Sequence, residues 1–158
     1  MPNQNLTFTA SDKLAANLQQ VLVDLIALHV LGKQAHWNVV GRNFRDLHLQ
    51  LDEIVDESRE SSDTIAERMR ALNAVPDGRL ETVAASTSLP NLPLGEIDTA
   101  QVVDLVTGLL RRAAGTARDV HDAVDSEDPS TADLLHVVID GLEKQAWMLS
   151  AENRDTGR

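Results

Sequence analysis

The chain has no cysteine and no tyrosine, and only two tryptophans and two phenylalanines among its 158 residues. Without cysteine there is neither a disulfide framework nor a thiolate site for metal or nucleophilic chemistry. Proline and glycine are scarce, five and eight, and they fall mostly between periodic segments. Long uninterrupted helices are therefore permitted, and the Leu, Val and Ala content is that of a helical protein. The opening "MPNQNLTFTASDK" lacks a basic start and an apolar core, so no secretory signal is expected. No apolar run approaches the ~18 residues of a membrane span, and the expected location is cytoplasmic with no membrane partner. Basic residues are also short, 14 against 25 acidic, for a formal charge of −11. Such a surface repels nucleic-acid phosphates and draws cations, although many cytosolic proteins are acidic for solubility alone.

Four long stretches carry a helical period, at 11–39, 43–72, 98–125 and 129–152, within one domain over 1–158 and after a tail at 1–10. Leu14, Leu18, Leu22, Leu25, His29, Gly32 and His36 mark one face of the first, with Ser11 as its N-cap. Phe44, Leu47, Leu51, Ile54, Ser58, Ile65, Met69 and Leu72 mark the second. The tight "VVGR" joint makes the two an antiparallel pair. Residues 73–97 hold Pro76, Gly78, Pro90, Pro93 and Gly95, with "LETVAASTS" able to form a short helix. Asp98 starts the third helix and Asp128–Pro129 the fourth. Short, long and short connections describe an all-α, ferritin-like four-helix bundle whose long crossover, with its short helix, joins helices two and three.

Such bundles usually hold iron between two Glu-x-x-His motifs. Here Ile26, Lys33, Arg45, Arg118 and Asp133 stand three residues before His29, His36, His48, His121 and His136, so an intra-bundle di-iron site is excluded. On the second helix, His48, Asp52, Asp63 and Glu67 share a flank roughly 130° from the apolar centre, at ~100° per residue. His48–Asp52 and Asp63–Glu67 each have the i,i+4 spacing with which two side chains grip one ion. Asp52 and Asp63 are separated by about 16 Å of helix rise, while metal–ligand bonds are about 2 Å. One ion cannot bridge both pairs in one chain. A second copy, antiparallel about a two-fold axis near Glu57 and Ser58, brings each His48–Asp52 against the other chain's Asp63–Glu67 and generates two equivalent sites. His36, late in the first helix, can lean in from the same side. Two imidazoles and three carboxylates without sulfur suit Fe(II), and also Mn(II) or Zn(II). No nucleophile–base pair stands out, which favours metal oxidation over hydrolysis.

"HWNVVG", a second His twelve residues after the first, then Asp four, Asp eleven and Glu four residues further on, resembles the Dps mini-ferritins, the DNA-protection-during-starvation family. The likeness covers essentially the whole chain, including the crossover and "STADLL"; "NVVGRNF" and the short C-terminus are similar to an actinobacterial, mycobacterial-type member. The resemblance implies a hollow homododecamer of tetrahedral symmetry with a ferroxidase centre at each two-fold interface. His36, His48 and Asp52 would come from one subunit, and Asp63 and Glu67 from its partner. The substrates would be Fe(II) and, preferentially, hydrogen peroxide, with ferric mineral stored in the cavity, and the cage would lie in the cytoplasm or on the nucleoid. Trp37 would sit beside the centre, either intercepting radicals or packing at the interface. Iron would pass through three-fold pores near the acid-rich third-to-fourth helix junction, for which Asp119, Asp122, Asp125, Glu127, Asp128 and Asp133 are candidates; Asp128 also has a sufficient job as N-cap.

DNA is the partner the residues support least. The first twelve carry no Lys or Arg, and the C-terminus offers only Arg154 and Arg158 against Glu152 and Asp155. Three other readings stand beside the ferroxidase: a nucleoid-binding cage with a non-catalytic metal site, a larger ferritin and a plain interaction bundle.

Overall fold

Ser11 opens the first helix by accepting the Leu14 amide on its hydroxyl oxygen, and the same hydroxyl donates to Glu127 at 2.7 Å. The computed structural model describes residues 7–157; residues 1–6 of the expected tail and Arg158 lie outside the described residues. The element order is α1 (Asp12–Asn38), β1 (Val39–Val40), α2 (Phe44–Ala71), α3 (Leu80–Ser86), β2 (Ile97–Asp98), α4 (Thr99–Glu127) and α5 (Pro129–Ala151). The four long helices form an all-α bundle, and α3 is the short helix of the crossover.

The apolar stripes predicted from spacing face one another. Leu14, Leu18, Leu25 and Leu28 of α1 meet Leu47, Leu51, Ile54, Ile65 and Met69 of α2, with Leu109, Leu110 and Leu135 closing the core from α4 and α5. Burying each such side chain is worth about 1.5–3 kcal/mol. Phe44 departs from its stripe, since it stands 44% exposed at the start of α2. By length and composition α1 could span a bilayer, with an 18-residue window of mean hydropathy 1.6. This corrects the expectation that no apolar stretch is long enough. Half of that window is buried in the bundle, so the apolarity serves the core.

Two features tie the crossover down. Val39 pairs with Ile97, and Val40 with Asp98, in a two-residue parallel bridge. It sets the start of α4 beside the α1–α2 joint, so α4 runs in the direction of α2. Within the joint Gly41 adopts φ +118°, and a Cβ there would lie 3.1 Å from Thr99 Oγ1, so only glycine fits without strain. Further along, Asp24 of α1 is 1% exposed. It accepts from the hydroxyls of Thr87, Ser88 and Thr116 and from the Ser88 amide, at 2.7–2.8 Å. A carboxylate so enclosed survives because its oxygens are saturated with donors, and it pins the crossover between α1 and α4.

Candidate metal centre

The α1–α2 joint reverses the chain so that His36, in the last turn of α1, faces His48, in the second turn of α2. Gly32 allows the close approach of the two helices, since a Cβ there would lie 3.0 Å from the Val55 side chain. The two histidines hold each other in place. His36 Nδ1–H donates to the His48 carbonyl at 2.7 Å, and His48 Nδ1–H donates to the His36 carbonyl at 2.8 Å. A carbonyl oxygen only accepts, so each ring carries a proton on Nδ1, and in the neutral tautomer the Nε2 lone pair is left for a ligand. The rings stack at 3.6 Å with 16° between their planes. This is the arrangement that orients metal-binding imidazoles, an N–H on one side fixing the nitrogen on the other.

Asp52, one turn after His48, stands beside the histidine pair. Its Oδ2 is 3.7 Å from His36 Nε2, and its Oδ1 is ion-paired with Lys33 of α1. The Lys33 ammonium, with help from the nearby imidazoles, holds the Asp52 carboxyl below the usual carboxylate range despite some desolvation. A cation thus already balances the charge where a metal would bind. Trp37, adjacent to His36, is 67% exposed.

Asp63 and Glu67 lie further along α2, both exposed. Asp63 borders an open groove of about 700 Å³ with Leu22 and Ile26 of α1, Arg59, and Pro76 and Gly78 of the crossover. Among the described residues neither carboxylate has an ion pair or side-chain hydrogen bond, and no group of three or more His, Cys, Asp or Glu side chains is placed to hold a metal ion. The structure sets His36 beside His48 and Asp52 as neighbours, short of a formed metal cluster, and does not bring Asp63 and Glu67 to them. Sequence spacing alone did not reveal Lys33, the reciprocal carbonyl bonds or the stacking of Phe44 on His48, at 5.0 Å and 28°. The only hint was position: Lys33 stands one turn before His36, and Phe44 one turn before His48.

The acids of the α4–α5 junction divide into two groups. Asp128 accepts from Arg68 Nη2 at 2.9 Å and from the Thr131 hydroxyl. Burial pushes its carboxyl up, but these donors more than offset that and leave it below its ordinary value. Glu127 accepts from the Ser11 amide and hydroxyl. Both thus have structural partners, and Asp128 is the residue before α5, although its side chain bonds Thr131 and not a helix amide as a cap. Asp119, Asp122, Asp125 and Asp133 are exposed, with Asp122 3.2 Å from His121 and Asp133 3.7 Å from His136.

Comparison with known proteins puts this geometry in a family. The ferritin-like domain family matches residues 15–158. DNA protection during starvation protein 2 of Deinococcus radiodurans is 35% identical over 139 residues, 88% of this chain, and this chain spans only 58% of that protein's length. The crystal structure of Dps92 from Deinococcus radiodurans superposes with a TM-score of 0.88 at 35% identity, covering 91% of this chain and 87% of that one. Dps from Microbacterium arborescens, in its high iron form, gives 0.82 at 33% identity, covering 92% and 97%. These relatives establish the family at large and do not single out a mycobacterial type within it. With a bundle joined by a long crossover, no Glu-x-x-His motif, and the histidine–carboxylate cluster moved to the α1–α2 joint, the chain belongs to the ferritin-like domain family, in its Dps mini-ferritin branch.

Proposed function

We propose that the protein oxidises Fe(II) at a site shared between two subunits and stores the ferric product inside a homododecameric cage. The observation that carries this reading is the locked histidine pair: both Nδ1 atoms are committed to backbone carbonyls, both Nε2 atoms are left to bind, and Asp52 stands alongside. Three ligands make half a site. Asp63 and Glu67 of a partner subunit supply the other half, since about 16 Å of helix rise keeps a chain's own copies away. Exposed apolar groups, Val30 and Trp37 of α1 and Leu80 of α3, suit burial against a second copy.

Iron is the substrate here. Ferrous ions displace Lys33 from Asp52 and bind a carboxylate-rich set that stabilises the ferric state. Two ferrous ions each give one electron to hydrogen peroxide, whose O–O bond breaks. Its oxygens leave at the hydroxide or water level, and hydrolysis of the ferric ions to oxyhydroxide releases protons. Peroxide consumed this way generates no hydroxyl radical, which would account for protection of DNA, the property named in the Deinococcus relative. Contact with DNA itself has little basis in this chain, because the surface is acidic and the described C-terminal segment carries Arg154 as its only cation. The working location is the cytoplasm, beside the nucleoid.

The acid-rich α4–α5 junction is the proposed iron inlet, with Asp119, Asp122, Asp125 and Asp133 facing solvent while Glu127 and Asp128 hold the junction together. The test of the whole reading adds Fe(II) anaerobically and then half an equivalent of peroxide. Ferric absorbance should rise in the unaltered protein and fail to rise in Asp63→Ala/Glu67→Ala. Equal absorbance in both, or none in either, would instead favour a cage with a non-catalytic metal site.

A further inference from the structure

We infer that Phe44 is a positioning residue for the metal centre, the outer member of a three-ring pile that holds His48 in its binding orientation. His48 is stacked on His36 at 3.6 Å and on Phe44 at 5.0 Å, both contacts near parallel. Its ring therefore lies between two others. The Nδ1–H bond to the His36 carbonyl fixes which edge of the ring points inward, but a single hydrogen bond leaves the ring able to swing about it. The two stacked neighbours remove that freedom, and together the bond and the pile define where Nε2 points.

The exposure of Phe44 makes this the explanation of its presence. It begins α2, follows the left-handed Asn43 (φ 64°), and leaves 44% of its surface in solvent. Its helical stripe would have placed it in the core, yet the first buried α2 residue is Leu47. One turn separates Phe44 from His48, the i,i+4 spacing at which helical side chains meet. A phenyl ring that contributes little to the core covers the half-buried ring of a ligand. Stacked aromatic pairs prefer such geometry, and groups that orient a metal-binding imidazole weaken metal affinity when removed. The inference rests on the proposed iron site and goes beyond it, because Phe44 carries no atom that could bind metal.

The experiment titrates the assembled protein anaerobically with Co(II) alone, reading its visible ligand-field bands, in the unaltered chain and in the Phe44→Leu, Phe44→Tyr and His48→Ala variants. Phe44→Leu keeps an apolar side chain of similar reach without a flat ring. It should bind Co(II) about tenfold more weakly, the lower end of what loss of an orienting group costs, with altered bands and an unchanged melting temperature and native mass. Phe44→Tyr keeps the ring and should bind within about twofold of the unaltered protein. Phe44→Leu with unchanged affinity and bands overturns the inference, as does a loss in Phe44→Leu that Phe44→Tyr fails to restore. His48→Ala separates the two levels: if it leaves the Co(II) bands of the unaltered protein intact, the site itself is misplaced, whatever Phe44 does.

Discussion

The two ends of α2 carry the two proposed ligand pairs in opposite states. At the N-terminal end, His48 and Asp52 are held by partners from α1: a carbonyl bond and a stacked ring for the histidine, and Lys33 for the carboxylate. At the C-terminal end, Asp63 and Glu67 project from an exposed face and, among the described residues, have no such partners. One half is built within the chain. The other is presented outward, where the proposed second subunit would order it. Fixed carboxylates without compensating cations would repel one another, so leaving them solvated until assembly avoids a cost that a preformed cluster would carry.

That contrast can be broken by mutation. The largest effect is expected from Asp63→Ala/Glu67→Ala, which should slow iron oxidation by ~100-fold or more, since loss of groups that only support a ligand already costs about 10–100-fold in affinity or activity. Because both side chains are exposed, stability of the chain should change by no more than about 0.5 kcal/mol, measured by denaturant unfolding. His36→Ala should abolish oxidation as well, but with a stability loss of about 1–3 kcal/mol, because it removes a buried ring together with its hydrogen bond to the His48 carbonyl and its stacking on His48. Equal stability of the two variants would erase the distinction between a built half and a presented half.

A smaller effect concerns the α4–α5 junction. Arg68→Ala should cost about 2 kcal/mol, the range of a hydrogen bond to a charged group, because Asp128 would lose its cation. Asp128 has a folded pKa below the unfolded 3.8. Its contribution is therefore present above 3.8 and lost as pH falls through the lower folded value. Arg68→Ala should remove part of that acid sensitivity in unfolding curves below pH ~4. The smallest effect belongs to His29 of α1, near Arg59 on the groove beside Asp63. Burial first, and then Arg59, lower its pKa from 6.5. The unfolded chain takes up this proton at higher pH than the folded chain does, so stability should decline as pH drops below 6.5. His29→Gln should flatten that slope, by about 1 kcal/mol or less.

Much of the architecture was legible before any coordinates. Leucine spacing, Ser11 and Asp98 as helix starts, and the Pro and Gly of 73–97 located the helices and the crossover, because helix period and breakers are local properties. The parallel bridge of Val39–Val40 with Ile97–Asp98 was not legible. Two residues are too short to show alternation, and their partners lie far apart in sequence. The role of Asp24 was not legible either, since nothing local says that Thr87, Ser88 and Thr116 will converge on it. In the metal centre, residue types and spacing pointed to five ligands and to the need for a second chain. Lys33 and Phe44 escaped notice because their roles are contacts with those ligands, and Phe44 looked like an ordinary member of an apolar stripe.

The central claim is that each site takes its ligands from two chains, and complementation tests it most directly. Chains carrying His48→Ala/Asp52→Ala would be unfolded, mixed in equal amounts with chains carrying Asp63→Ala/Glu67→Ala, and reassembled, with native mass verifying the mixed cages. In a mixed two-fold pair one site loses every altered ligand type at once and the other keeps all five natural ligands. Random pairing should therefore return about a quarter of the unaltered iron-oxidation activity from two inactive parents. Mixed cages that remain as inactive as their parents would contradict the shared site.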